Sequence, residues 1–168
     1  MAEGRKEKRL GSVSLIEVDD ATELAGALFK QAFRAEIPRF PRHFVLLRKT
    51  PQGDIPIGYV HYTKSANAYL GGGLAVSAME FRKLEKDTAE LVRREGGFAE
   101  WAVRTSCECL DDADAVFAYM GDAKSIRVNT RVGFLFTGRR HLYALWKRQP
   151  PPDEREALIE RIAAIGPF

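Results

Sequence analysis

Arg93-Arg94-Glu95-Gly96-Gly97-Phe98-Ala99 (RREGGFA) is the stretch on which the reading of this chain turns. Two adjacent glycines let the backbone turn tightly, and helical spacing resumes at once through FAEWAVRTSCECL, with Phe98, Trp101, Ala102 and Thr105 on neighbouring turns. The first amides of a helix have no intrahelical partner and carry the positive end of its dipole. A glycine-opened helix start is therefore suited to phosphate oxygens, and Arg93 and Arg94 add charged donors beside it. The same residues also suit a plain turn between two packed helices.

Upstream, Met79 to Arg93 is rich in Glu, Lys, Arg and Leu and predicts a helix. Before it, Tyr69 to Val76 (YLGGGLAV) predicts a strand in which three successive glycines signal either a bulge or a close approach to the backbone. Ser12 to Val18 predicts a first strand, and Asp19-Asp20-Ala21-Thr22 offers capping chemistry for a helix over Leu24 to Arg34, with Leu24, Leu28, Ala32 and Phe33 on its sheet-facing side. Pro38, Phe40 and Pro41 interrupt the pattern. His43 to Lys49 and Ile55 to Tyr62 then predict an antiparallel hairpin about the turn Thr50 to Asp54.

Downstream, Ala115 to Met120 predicts a buried strand. Asp122 leads a short helix that ends at Val132, with Gly133 as C-cap, and the last strand is clearest in His141 to Trp146. Behind Gln149-Pro150-Pro151-Pro152, Asp153 to Ile165 predicts an appended helix that docks on its own domain, although association into a homodimer is compatible with it. This order predicts an α/β fold, an α+β mixed sheet with helices on both faces. Residues 1–11 are expected to be a disordered tail, 12–148 the domain and 149–168 a Pro-rich linker with the terminal helix.

Composition bounds the function. A chain of 168 residues that is 45% apolar and 10% aromatic can bury one sizeable core. No apolar run approaches the roughly 20 residues of a membrane span, and residues 1–11 do not read as a targeting signal, so a cytoplasmic protein with no membrane partner is expected. The formal charge of +3 comes from cations interleaved with 23 acids, which argues against nucleic acid as a partner and suits a phosphate-bearing ligand. Cys107 and Cys109 fall on different faces of a helix, so neither a metal nor a disulfide is expected.

Arg94 to Ala99 reads R-x-x-G-x-A, which resembles the pyrophosphate loop of the GNAT superfamily of acyl-CoA N-acyltransferases, placed between a strand and a helix. Asp122 to Phe134 (DAKSIRVNTRVGF) resembles the late helix of that family, which closes in a Gly-Phe pair before the last strand. The resemblance spans approximately Ser12 to Lys147 and lies in the order of elements more than in identity. It implies a GNAT-like central mixed sheet, acetyl-CoA or another acyl-CoA as co-substrate, no metal, and a small-molecule or peptide amine as acceptor. It also implies that the backbone of Leu74, Ala75 and Val76 pairs with the pantetheine arm, and that Arg94, Gly96, Gly97, Phe98 and Ala99 hold the pyrophosphate. The glycines of the third strand would admit the arm. Asn129 falls among the cofactor-lining positions, where the family commonly carries a Tyr that protonates the leaving thiolate.

Three departures are visible, one being that Gly72 and Gly73 fall where the family frequently carries a carboxylate near the end of the third strand. Ser77 to Arg93 inserts a helix ahead of the phosphate loop, and Asn129 cannot act as a general acid. The Val76 N–H suits an oxyanion. His61 and Glu80 are the titratable candidates for a base and Tyr119 for a proton donor, each with a strong structural reading, as a packed or surface histidine, a solvated glutamate and a core anchor, and no residue is assigned as catalytic. The alternative is a CoA-binding or protein-interaction module of the same fold that has lost catalysis.

Overall fold

A computed structural model describes residues 7–39 and 41–168. Strands β1 (Glu7–Leu10), β2 (Val13–Val18), β3 (Arg42–Thr50) and β4 (Gly53–Ser65) form an antiparallel meander, and helix α1 (Thr22–Phe33) connects β2 to β3. The expected tail is corrected here. Residues 7–10 pair with β2 from Glu7↔Ile16 to Leu10↔Val13, taking up an otherwise open edge. Residues 1–6 of that tail, like Phe40, lie outside the described residues.

The strand expected over 69–76 is two strands, β5 (Ala68–Gly71) and β6 (Ala75–Val76), interrupted at the glycines. Both pair antiparallel with β4, β5 through Tyr62↔Gly71 and β6 through Gly58↔Val76. Four steps along β4 therefore face five on the other side, which is a β-bulge. The insertion that follows is also two elements rather than one helix: α2 (Ala78–Phe81) and α3 (Lys86–Arg94). Arg82, Lys83 and Leu84 donate to carbonyls three residues back, and Glu85 is extended, so the chain re-aims and α3 buries Thr88, Ala89 and Val92.

Helix α4 (Phe98–Glu108) leads to β7 (Ala115–Tyr119), which runs parallel to β5. Helix α5 (Ala123–Val132) follows, capped by the Asp122 carboxylate on the N–H groups of Lys124 and Ser125 and closed by Gly133 at φ 119°. Strands β8 (Leu135–Phe136) and β9 (Leu142–Trp146) finish the sheet, whose order is β1-β2-β3-β4-β5-β7-β9-β8 with β6 beside β4. Helix α6 (Pro152–Ile165) ends the chain.

Helices cover both faces. On one, α3, α4 and α5 enclose a core that includes Phe44, Tyr62, Val92, Trp101 and Phe134. On the other, α1 sets Ala25 and Phe29 against Val45 and Tyr59, while α6 sets Leu158, Ile159 and Ile162 against Leu70, Phe117 and Ala144. The terminal helix thus docks on its own sheet, in line with its apolar face. Helix α1 is rotated from its expected face: Ala21, Ala25 and Phe29 are buried, whereas Leu24 and Phe33 are 36% and 42% exposed. Because Ile162 is fully buried, Ile162→Ala should cost about 2–5 kcal/mol. Urea unfolding should still show a single transition, since α6 shares the core of the sheet.

Candidate functional site

Strand β7 follows β5 from Ala68↔Ala115 to Gly71↔Ala118 and does not continue beside β6. The sheet therefore opens at its centre, and a cleft of about 1060 Å³ passes through the gap. Its wall on the α4 and α5 side includes Ala99, Val103, Ser125, Val128 and Asn129. On the α1 side it includes Leu28, Phe29, Ala32, Phe33 and His61, with Gly72 to Val76 between the two. The Ser77 N–H donates to the Ile57 carbonyl on β4 at 2.8 Å. Successive amides of a strand point to opposite sides, so the Val76 N–H is turned the other way, into the gap.

Of the residues expected to hold a cofactor, Leu74, Ala75, Val76, Ala99 and Asn129 line this cleft, and Arg94, Gly96, Gly97 and Phe98 do not. Arg94 ends α3 rather than following a strand, and its exposed guanidinium reaches Glu90 one turn back at 2.6 Å. Gly96 and Gly97 make the turn into α4 at φ 87° and 99°. Phe98 is buried edge-on against Phe81, with 5.5 Å between ring centres. Gly97 caps α4 without a side chain, which leaves the amides of Phe98, Ala99 and Glu100 without helical carbonyls to meet. The Glu100 carboxylate folds back beneath Gly96, where a Cβ would strike it, and pairs with Arg104 at 2.7 Å. The Asn129 side chain donates to the Ser125 carbonyl at 2.9 Å, tying it to its own helix.

The glycine run has a different physical basis from the one expected. A Cβ on Gly72 would overlap Nε2 of His61, and one on Gly73 would lie 2.8 Å from the Phe33 ring. These glycines make room for side chains that line the cleft, and the bulge follows from them. Leu28, Ala32 and Phe33, read from sequence as sheet-facing, line the cleft instead. The signal for this was present as a second apolar stripe on α1, wider than the sheet beneath it requires.

The titratable candidates separate. Glu80 is not solvated: its side chain is 12% exposed and accepts from Arg48 at 2.7 Å and Lys83 at 2.6 Å, which hold its carboxyl below the usual range. Tyr119 lines the cleft with its ring edge-on to Phe168, 5.1 Å between centres. Burial, with a smaller contribution from His43, lowers the His61 imidazole to about 4, so it is neutral at physiological pH. Burial pushes the Cys107 thiol up to about 12, which removes it as a nucleophile. Among the described residues, no group of three His, Cys, Asp or Glu side chains is placed to hold a metal, and no helix is long and apolar enough to cross a membrane.

Solved structures similar to this chain include the following. A ribosomal-protein alanine N-acetyltransferase from Escherichia coli shares 11% identity at a TM-score of 0.52, with 84% of this chain and 97% of that one covered. A GNAT-family acetyltransferase from Bacillus anthracis shares 12% at 0.51, with 83% and 98% covered. The chain carries the GNAT acyltransferase fold. A domain from Methanocaldococcus jannaschii, 13% identical at a TM-score of 0.54 with 84% and 99% covered, has the same architecture. No protein-family model and no curated protein matches the sequence. In the GNAT fold of this chain, the opened sheet and the start of α4 border one cleft.

A neutral buried His61 makes stability depend on pH. Its folded value lies below the ordinary 6.5, so the native state resists the proton that the unfolded chain accepts. Its contribution is complete above about pH 6.5 and is lost as pH falls toward 4, on the order of 2–3 kcal/mol. Chemical denaturation at a series of pH values should show this decline in the wild-type protein and a shallower one in His61→Gln.

Proposed function

We propose that this protein is an N-acyltransferase that moves an acetyl or other acyl group from acyl-CoA to an amine. The observation that supports this most is the unpaired edge of Leu74 to Val76, which faces a cleft bordered by the first turn of α4. An extended pantetheine arm suits that edge, because it can take the backbone pairing that β7 withholds. The amides of Phe98, Ala99 and Glu100 suit the pyrophosphate, aided by the α4 dipole. Arg94 is assigned a lesser part here than its motif implies, because its side chain is engaged with Glu90. The Val76 N–H is aligned for the thioester carbonyl, where it stabilises the oxyanion formed when the amine attacks.

The acceptor is assigned to the α1 side of the cleft. Leu28, Phe29, Ala32 and Phe33 give that wall an apolar character, which favours an amine carried on an apolar body over a polycation. Asn129 contributes position rather than acid chemistry.

Acetyl-CoA at about 100 times its Kd should stabilise the protein by about 2.7 kcal/mol and raise its Tm. An unchanged Tm with folded protein would remove the basis of the reading. Gly97 adopts φ 99° and ψ 175°, a region essentially confined to glycine. Gly97→Ala should therefore cost about 1–3 kcal/mol in stability and diminish the acetyl-CoA shift by distorting the α4 start. Arg94→Ala, in contrast, should leave most of the shift intact in the same melting assay.

A further inference from the structure

We propose that His61 carries the proton between the acceptor amine and the leaving thiol, accepting it at Nε2 on the α1 side of the cleft. The inference rests on the acyltransferase reading and extends it by naming the residue that the site otherwise lacks. His61 and Tyr59 share the α1-facing side of β4, where the His61 ring lies 5.9 Å from Phe29 and 5.6 Å from Tyr59 between centres. It lines the cleft at Gly72, the point where β5 breaks ahead of Leu74 to Val76. Nε2 lies against Gly72, in the space that any side chain there would take, so the ring reaches the break in the strand only because that residue is glycine.

The neighbouring histidine provides the contrast. His43 sits directly across from His61 in the β3–β4 register, is 1% exposed, and its Nδ1 meets the Tyr59 hydroxyl at 2.7 Å. That is a histidine satisfied by its core. The Nδ1 of His61 is buried and has no partner among the described residues, a state that costs about 1–3 kcal/mol and that packing alone does not explain. Among the described residues no carboxylate pairs with the ring: the titratable groups facing it are His43 and Tyr59, and α1 sets the Phe29 ring against it. Glu80 is tied to Arg48 and Lys83, and Asn129 has no acid proton, so neither competes for the role.

The step balances without another reactant. The free amine attacks the thioester carbon of acyl-CoA, forming the C–N bond while the carbonyl pair moves to oxygen. The nitrogen, now strongly acidic, passes a proton to Nε2. The oxygen pair returns, the C–S bond breaks, and the thiolate takes the proton from the imidazolium. His61 ends neutral, with an amide and a free thiol as products. The imidazole starts the cycle neutral, the form that can accept the proton.

The test compares wild-type protein and His61→Gln in acetyl-CoA binding by calorimetry and in thiol release with benzylamine and hydroxylamine. The expected result is unchanged acetyl-CoA affinity with kcat for thiol release lowered about 100-fold and KM for the amine little altered. Retention of more than about a tenth of the wild-type rate would overturn the proposal. Absence of acetyl-CoA binding by the wild-type protein would instead overturn the acyltransferase reading beneath it. Should His61→Gln fail to fold, the wild-type acetyl-CoA complex decides by nitrogen NMR. The His61 imidazole resonances should move when benzylamine is added, and resonances that stay fixed would overturn the proposal.

Discussion

Strand β4 holds two partners in succession and β7 holds only one of them, and the molecule's chemistry depends on that mismatch. Gly72 and Gly73 yield their side-chain space to His61 and Phe33, and the bulge they create carries β6 away from β7. A sheet interior with an unpaired edge would ordinarily be unfavourable, since buried amides need partners. Here the edge opens onto a cleft through the centre of the sheet, where a ligand strand can supply the pairing.

The cleft has two chemically different halves because the sheet separates its two helical layers. On the α4 and α5 side, backbone amides dominate: the start of α4 has no capping side chain, and Asn129 is tied to Ser125. On the α1 side, a mainly apolar wall with Gln31 and Glu36 in it surrounds one imidazole. Opposed approach of a phosphate-bearing donor and an apolar amine follows from this division, with the reacting carbon between them. The carboxylates that line the cleft are themselves engaged: Glu36 pairs with Lys30, and Asp122 caps α5.

Most elements were legible in the sequence, for physical reasons specific to each. The Asp122 cap and Gly133 C-cap delimit α5 through local hydrogen bonds that need no tertiary context, and the turn at Pro51-Gln52 joins β3 to β4 within one or two residues of its expected place. The face of α1 was less legible. Leu28, Ala32 and Phe33 form as apolar a stripe as Ala21, Ala25 and Phe29, and hydropathy cannot distinguish a stripe that meets a sheet from one that lines a cleft. The strand at Glu7–Leu10 was missed because a charged segment gains its order only from the open edge of β2.

The sequence by itself determined the order of the main strands and helices, the α5 caps, and the glycine pair that opens α4, because each is set by forces acting over a few residues. Tertiary structure alone decided that Gly72 is vacant for the sake of His61. It also decided which of two histidines stays unpartnered. Those outcomes depend on groups brought together across β3, β4 and the β5–β6 break, and no spacing along the chain encodes the distance between them.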